Sequence, residues 1–253
     1  MYSVIVPTMW RGVEFKRMLP LLDDNESISE IIVIDNDEKR KPEWMSRKWK
    51  KTSIHSFGKN IFVNPAWNFG VEKAKDDNVC ILSDDVLFDV SIFDWLVNNK
   101  LDGPTSPAYA LRNFNPPDRY DNDIVPPITN PNIKQSYVVP YRFGCLMFVD
   151  KRFWIPIPPQ LKIYFGDYWI WRNYDLRGYK PHYIEGFAFT TRDMTTSGKF
   201  GHVNNHEFSI WQKEIYPLLK GELHPNMFES HEIEMGNEMR MQEFMEKEQS
   251  LKL

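Results

Sequence analysis

Along the first third of the chain, apolar residues fall in short β-branched runs, each followed by a stretch with helical spacing. Tyr2 to Pro7 (YSVIVP) reads as a buried strand closed by a proline, and Glu30 to Asp35 (EIIVID) as a second strand ending in an acid. Between them Phe15, Met18, Leu19 and Leu22 recur at helical spacing, with Pro20 expected to end or kink that helix. Residues 61–63 (IFV) suggest another short strand. Asn64 before Pro65 has the form of a capped helix start, with the helix running through Lys75. Asn78 to Leu82 (NVCIL) is a further buried run and leads straight into Ser83, Asp84 and Asp85. Strands alternating with helices predict an α/β fold with a mixed, mainly parallel sheet flanked by helices.

The pattern changes from Leu101 to Pro140. Prolines stand at 104, 107, 116, 117, 126, 127, 131 and 140 with few periodic apolar positions between them, which predicts a long irregular insertion. Strand signals return at Phe143 to Val149 (FGCLMFV) and at His182 to Thr190, on either side of an aromatic segment from Tyr164 to Tyr174. The final stretch, 221–253, is acidic, Met-rich and weakly helical. The expected organisation is one domain over 1–220, with halves at 1–100 and 141–220 around the insertion, followed by a helical tail.

Composition narrows this modestly. Hydrophobic types at 42% and charged types at 26% suit a globular core rather than wholesale disorder. Aromatics reach 15% with nine Trp, a surplus that serves either core packing or the stacking of sugars and bases, core packing having the stronger prior. A net charge of −4 gives no global attraction to nucleic acid or to an anionic membrane. Cys80 and Cys145 both sit in apolar runs and read as small buried hydrophobes, not as a disulfide or a metal pair. With no basic lead-in and no long apolar span, neither a signal peptide nor a membrane helix is expected, and the expected setting is cytoplasmic.

The chemistry concentrates where strands end. Ligands of open α/β sheets bind at the carboxyl ends of the strands, and Asp35, Asp84 and Asp85 fall there. Adjacent carboxylates repel, and Mg²⁺ or Mn²⁺ shared with a diphosphate relieves that repulsion. Ser-Asp-Asp alone favours a solvated turn that happens to hold two acids. Taken together, SVIVPT, EIIVID, NPAWNFGVEKA and CILSDDV, in that order, resemble the nucleotide-sugar glycosyltransferases of the GT-A fold, most of all the large inverting family-2 type. The resemblance covers residues 2 to 90 well and 143 to 190 more loosely.

That resemblance implies a hexosyl- or pentosyltransferase with a nucleoside-diphosphate sugar as donor, a UDP-sugar first among the candidates, and Mn²⁺ or Mg²⁺ as cofactor. It makes 1–100 the donor-binding half and 141–220 the acceptor and catalytic half. Pro7 and Thr8 would lie beside the nucleotide, and Asp35 would bond the base or ribose. Asn64 and Asn68 would brace the donor pocket, with Gly70 allowing close packing. Ser83-Asp84-Asp85 stands in the place of the family's Asp-x-Asp motif, so Asp85 would bind the metal, with Asp84 sharing it or meeting the ribose. Ser83 departs from the motif's first Asp and brings no charge. Within FGDYW, Asp167 stands where the family carries an acid at a helix start and is the candidate general base. The plainer reading of Asp167 is a helix-capping carboxylate. His202, with His206 as the alternative, is the candidate for the late histidine that several GT-A enzymes use on the metal, with a loop the expected setting of His202. Lys199 would neutralise the leaving diphosphate.

The acceptor is less marked. Between Lys39 and Lys51 seven basic residues, among them Lys48, Lys50 and Lys51, are interleaved with Trp44 and Trp49, a pattern able to grip a phosphate backbone and stack bases. In this the chain is similar to bacteriophage enzymes that glycosylate hydroxymethylated DNA bases. A solvated basic helix, or contact with the donor's own phosphates, explains the stretch equally well. Two other functions compete. One is a nucleotidyltransferase of related fold, for which Thr8-Met9-Trp10-Arg11-Gly12 is a poor phosphate loop. The other is a catalytically degenerate module that binds sugar or nucleotide.

Overall fold

The computed structural model describes residues 1–99, 103–111, 125–136, 139, 143–191 and 201–220. The strands are β1 (Tyr2–Thr8), β2 (Ile28–Asp35), β3 (Thr52–Ser56), β4 (Asn78–Leu82), β5 (Val86–Phe88), β6 (Thr105–Leu111), β7 (Asn132–Gln135), β8 (Leu146–Asp150) and β9 (His182–Thr191). The helices are α1 (Phe15–Asp24), α2 (Val63–Lys73), α3 (Ile92–Asn98), α4 (Gly166–Leu176), α5 (Gly201–Ile210) and α6 (Tyr216–Lys220), with a π-helical turn Trp211–Ile215 between the last two.

Among the described residues the nine strands form one sheet in the order β3-β2-β1-β4-β8-β6-β9-β5, with β7 also paired to β9. From β3 to β4 every pairing is parallel. At β8 the direction reverses, since Leu82 faces Leu146 in an antiparallel ladder. The α/β reading of the sequence holds, and alternation explains the layering. Val4, Val6, Ile31, Val33, Cys80, Leu82, Leu146 and Phe148 pack on one face, with α1 and α3. Their neighbours Ile5, Ile32, Ile34, Val79, Ile81, Met147 and Val149 pack on the other, with α2, α4 and the π-turn. Gly70 lets α2 lie close on β1, because a Cβ there would meet Ile5 Cγ2 at 2.3 Å. All nine Trp lie in these two cores or pack against them. Cys80 is buried, Cys145 half-buried, and neither forms a disulfide. No helix of the described residues is long and apolar enough to cross a membrane.

Several local expectations change. Pro20 lies inside α1 rather than ending it. The carbonyl it leaves without an amide belongs to Lys16, on the exposed face where water can serve. Residues 61–63 are not a strand: Phe62 turns left-handed at φ 68° and is itself the cap of α2, so Asn64 falls inside the helix instead of capping it. The segment Leu101 to Pro140 contains β6 and β7, and β6 lies between β8 and β9. Pro107 is accommodated at a register shift of β6 against β9, where a ladder tolerates a missing amide. The basic stretch forms two 3₁₀ turns, Glu38–Arg40 and Glu43–Ser46, not a helix. Gly201 and His202 begin α5 instead of lying in a loop. The expected tail 221–253 and Lys199 lie outside the described residues.

Candidate active site

The carboxyl edge of the parallel strands gathers Thr8, Asp35, Ser56 and the turn Ser83–Asp85. Because β8 runs the other way, the turn Phe143–Cys145 that leads into it reaches the same edge, and the Ser83 amide donates to the Cys145 carbonyl at 2.8 Å. The end of β9 arrives there too: Thr191 pairs with Val86.

Thr8 organises the first group. It is buried, its hydroxyl donates to Asp84 Oδ2, and its own Oγ1 accepts the Trp10 amide at 2.8 Å. Trp10 takes a left-handed φ of 58°. Its indole Nε1 donates to Asp35 Oδ1 at 2.7 Å, an oxygen that also accepts the Asp37 amide at 3.1 Å. Ser56 Oγ donates to Asp35 Oδ2 at 3.3 Å. Asp35 is therefore only 1% exposed. The Trp10 indole stands on the carboxylate, so a base or ribose would reach it only if that ring shifts. Pro7, half-buried, pairs with Ile34, beyond the last β1–β4 pair, where its missing amide breaks no ladder bond to β4.

Asp84 and Asp85 lean on opposite neighbours. Asp84 accepts from the Thr8 hydroxyl and from the Gly12 backbone amide. The loop is so close that a Cβ at Gly12 would meet the Asp84 carbonyl oxygen at 2.3 Å. Burial pushes the Asp84 carboxyl up to about 6, helped by the charges of Asp85 and Glu14 and opposed by the Thr8 and Gly12 hydrogen bonds. Asp85 instead faces β9, where Thr191 Oγ1 donates to its Oδ2 at 2.9 Å. Among the described residues no three His, Cys, Asp or Glu side chains stand together as a metal-holding group. His206 is exposed on α5, and His202 lies in the first turn of that helix. What the edge offers a cation is two carboxylates, one of them burdened by burial. That donor set fits a hard divalent ion that completes its shell with diphosphate oxygens and water.

The second group centres on Asp167. Phe165, left-handed at φ 61°, caps α4, so Asp167 is not the capping residue but lies in the first turn, where a carboxylate suits the helix dipole. Its Oδ1 accepts the Tyr168 amide at 3.0 Å. A Cβ added at Gly144 would lie 3.2 Å from Asp167 Oδ2 and 3.3 Å from the Trp67 ring. Since Cys145 next door carries the Ser83 hydrogen bond, one backbone turn separates Asp167 from Ser83–Asp85.

Asn64 and Asn68 brace a loop. Asn64, fully buried, donates from Nδ2 to the carbonyls of Leu161 and Tyr164 at 3.2 and 3.0 Å. Asn68 Oδ1 accepts Trp154 Nε1 and the Ile157 amide, while its Nδ2 donates to the Ile157 carbonyl. Together they tie residues 154–164, which lead to Asp167, onto α2. In the basic stretch the rings pack into the fold while Lys39, Arg40, Lys41, Arg47, Lys48 and Lys50 stay exposed. Trp44 packs edge-on against Trp10, Phe15 and Trp49. Arg47 lies 3.5 Å over the Trp49 ring. Lys50 pairs with Asp24 at 2.6 Å, and Lys51 Nζ donates to the Asn25 carbonyl. Lys48 alone of the five acceptor candidates is exposed with no such role among these contacts. Two residues of the site escape the sequence, Trp10 and Glu207. A Trp two residues beyond a strand-end Thr is a local cue for the first, while the second has no local cue.

No family model matches this chain, and no curated protein matches its sequence. Solved structures match its fold. One is S. aureus TarS, residues 1–349, with TM-score 0.54 and 12% identity over 80% of this chain and 62% of that one. Another is GalNAc-T7, solved with UDP, GalNAc and Mn²⁺, with TM-score 0.50 and 14% identity over 76% of this chain and 43% of that one. The chain thus spans less than two thirds of either. What is shared is the fold, the GT-A-like fold of glycosyltransferases.

Proposed function

We propose that this chain is a glycosyltransferase that moves a sugar from a nucleoside-diphosphate donor to an acceptor hydroxyl with inversion. The observation that carries the reading is that one turn, Phe143–Cys145, touches both groups, Ser83 through Cys145 and Asp167 beside Gly144, in a fold shared with a structure holding UDP and Mn²⁺. Asp85, with Asp84 beside it, would hold a divalent cation that neutralises charge on the leaving diphosphate. The carboxylate of Asp167 takes the acceptor hydroxyl's proton as its oxygen attacks the anomeric carbon and the bond to the diphosphate breaks. Thr8 and Trp10 fix the loop above Asp84, and the Trp10 indole guards Asp35 until a nucleoside takes its place. Residues 1–100 form the donor half, and 141–220 carry the acceptor side.

The test is nucleoside diphosphate release from a panel of nucleotide sugars with Mn²⁺ or Mg²⁺, with and without hydroxymethylated DNA. Metal-dependent release from one donor is the expected result, and intact donors throughout would sink the reading. Pyrophosphate release from a nucleoside triphosphate would point to a nucleotidyltransferase, and donor binding without turnover to a binding module. A DNA acceptor predicts stimulation by DNA that weakens with salt and with Lys48→Glu.

A further inference from the structure

We infer that Glu207 is a positioning residue for Asp167, an inference that rests on the reading of Asp167 as the base. Glu207 lies in α5 and is 1% exposed. Its Oε1 accepts the amides of Lys162 and Ile163 at 2.9 and 3.3 Å, and its Oε2 accepts those of Ile163 and Tyr164 at 3.1 and 2.7 Å. Three successive backbone N–H groups thus converge on one carboxylate. Buried this deeply and ringed by amides, it is no base for a substrate. A buried charge is costly unless hydrogen-bonded in this way, and what it gains over an apolar contact is direction.

The same segment is held from its other side. Asn64 donates to the carbonyls of Leu161 and Tyr164 through its side chain and to Lys162 through its amide. The segment therefore runs between two clamps, Glu207 on its amides and Asn64 on its carbonyls. Its next residue, Phe165, is forced into the left-handed region and stacks on Trp211 with ring centroids 5.5 Å apart and planes at 15°. The Phe208 ring, beside Glu207 in sequence, lies 5.9 Å from it. Gly166 then passes so close beneath Asn64 that a Cβ would meet Oδ1 at 2.1 Å. Asp167 comes next. Its place over Gly144 is thus set by a carboxylate on a helix distant in sequence. A shift of about an ångström at a reacting group is enough to cost on the order of a hundredfold in rate.

The experiment compares transfer by the wild type, Glu207→Gln, Asp167→Asn and the double variant, with donor affinity by calorimetry and hydrogen exchange at 162–164. Glutamine keeps the shape but leaves one clamp atom unable to accept. The expected result is exchange faster by about tenfold at the released amides. Transfer falls by roughly 10- to 100-fold in kcat, and donor Kd moves by less than about threefold. In the Asp167→Asn background the Glu207→Gln loss disappears, because Glu207 acts through Asp167. Glu207→Asp, which keeps the charge on a shorter arm, falls between wild type and Glu207→Gln and serves should glutamine unfold the chain. Additive losses in the double variant, or released amides with unchanged kcat, would overturn the inference while leaving the transferase reading in place. A wild type inactive with every donor would overturn both.

Discussion

At the strand edge, Thr8, Asp35 and Asp84 are held by neighbours on adjacent strand ends and the loop between them. At the helix edge, Asp167 is held by a loop clamped between Asn64 and Glu207. The first arrangement follows from ladder register: once β1 pairs with β2 and β4, the ends of those strands meet whatever their side chains do. The second depends on side chains that satisfy a loop's backbone. A substitution at the strand edge should therefore alter binding and charge while leaving the frame intact. One at the helix edge should move the frame or the rate.

The largest effect tests the helix edge. Asp167→Asn should cut transfer by about two to four orders of magnitude while donor affinity stays near normal. If donor affinity collapses with the rate, the helix edge belongs to the donor pocket and the contrast fails. At the strand edge, Asp85→Asn should weaken Mn²⁺-dependent donor binding by roughly 10- to 100-fold, read by titrating donor at fixed metal. An unchanged titration curve removes the cation from Asp85.

A third test asks whether the helix edge is as tightly built as its clamps imply. Gly166→Ala puts a Cβ where Asn64 Oδ1 stands, at 2.1 Å, so the loop or α2 must yield. Overpacking of this kind costs about 1–3 kcal/mol, measurable as a lower urea midpoint at unchanged slope. Full stability in the alanine variant would mean the loop has slack, and the account of Asp167's placement would go with it.

The contrast also explains what could be read in advance. β1, β2, β4 and β8 are legible because each is a run of apolar or β-branched residues with a face in each core. β3 is not, since TSIHS at the sheet edge has a single apolar residue, Ile54, among four polar ones. β6 hides behind prolines, one of which sits at its register shift. Ile61 to Val63 looks like a strand only because the left-handed turn at Phe62 leaves no mark in the residue type. The acids at strand ends were visible for the same reason as the strands. Trp10 and Glu207 were not, because what matters about them is the partner: Glu207 meets amides 43 to 45 residues away. Trp44 and Trp49 show the reverse, a conspicuous pattern whose rings the fold uses in packing.

The smallest effect separates the two adjacent acids of the strand edge. Asp84 is raised from 3.8 to about 6, so in metal-free protein the folded state binds its proton more tightly than the unfolded chain does. Its contribution to stability is thus full below about 4 and is lost as pH rises through about 6. Asp84→Asn removes the charge and keeps one acceptor for the Thr8 hydroxyl or the Gly12 amide. Two opposing terms then decide the sign. Relief of the buried charge is about 1–2 kcal/mol at pH 8 once screening at a half-buried site is allowed for, and the lost hydrogen bond costs about 1 kcal/mol. In chelator at pH 8 the variant should match or exceed wild type, by up to about 3 °C in Tm. At pH 4.5 the wild-type carboxyl is already protonated, only the lost bond remains, and the variant should melt lower. Thermal melts at the two pH values check this. A variant equally destabilised at both would mean that Asp84 bears no burden of burial, and the strand edge would lose its reason to attract a cation.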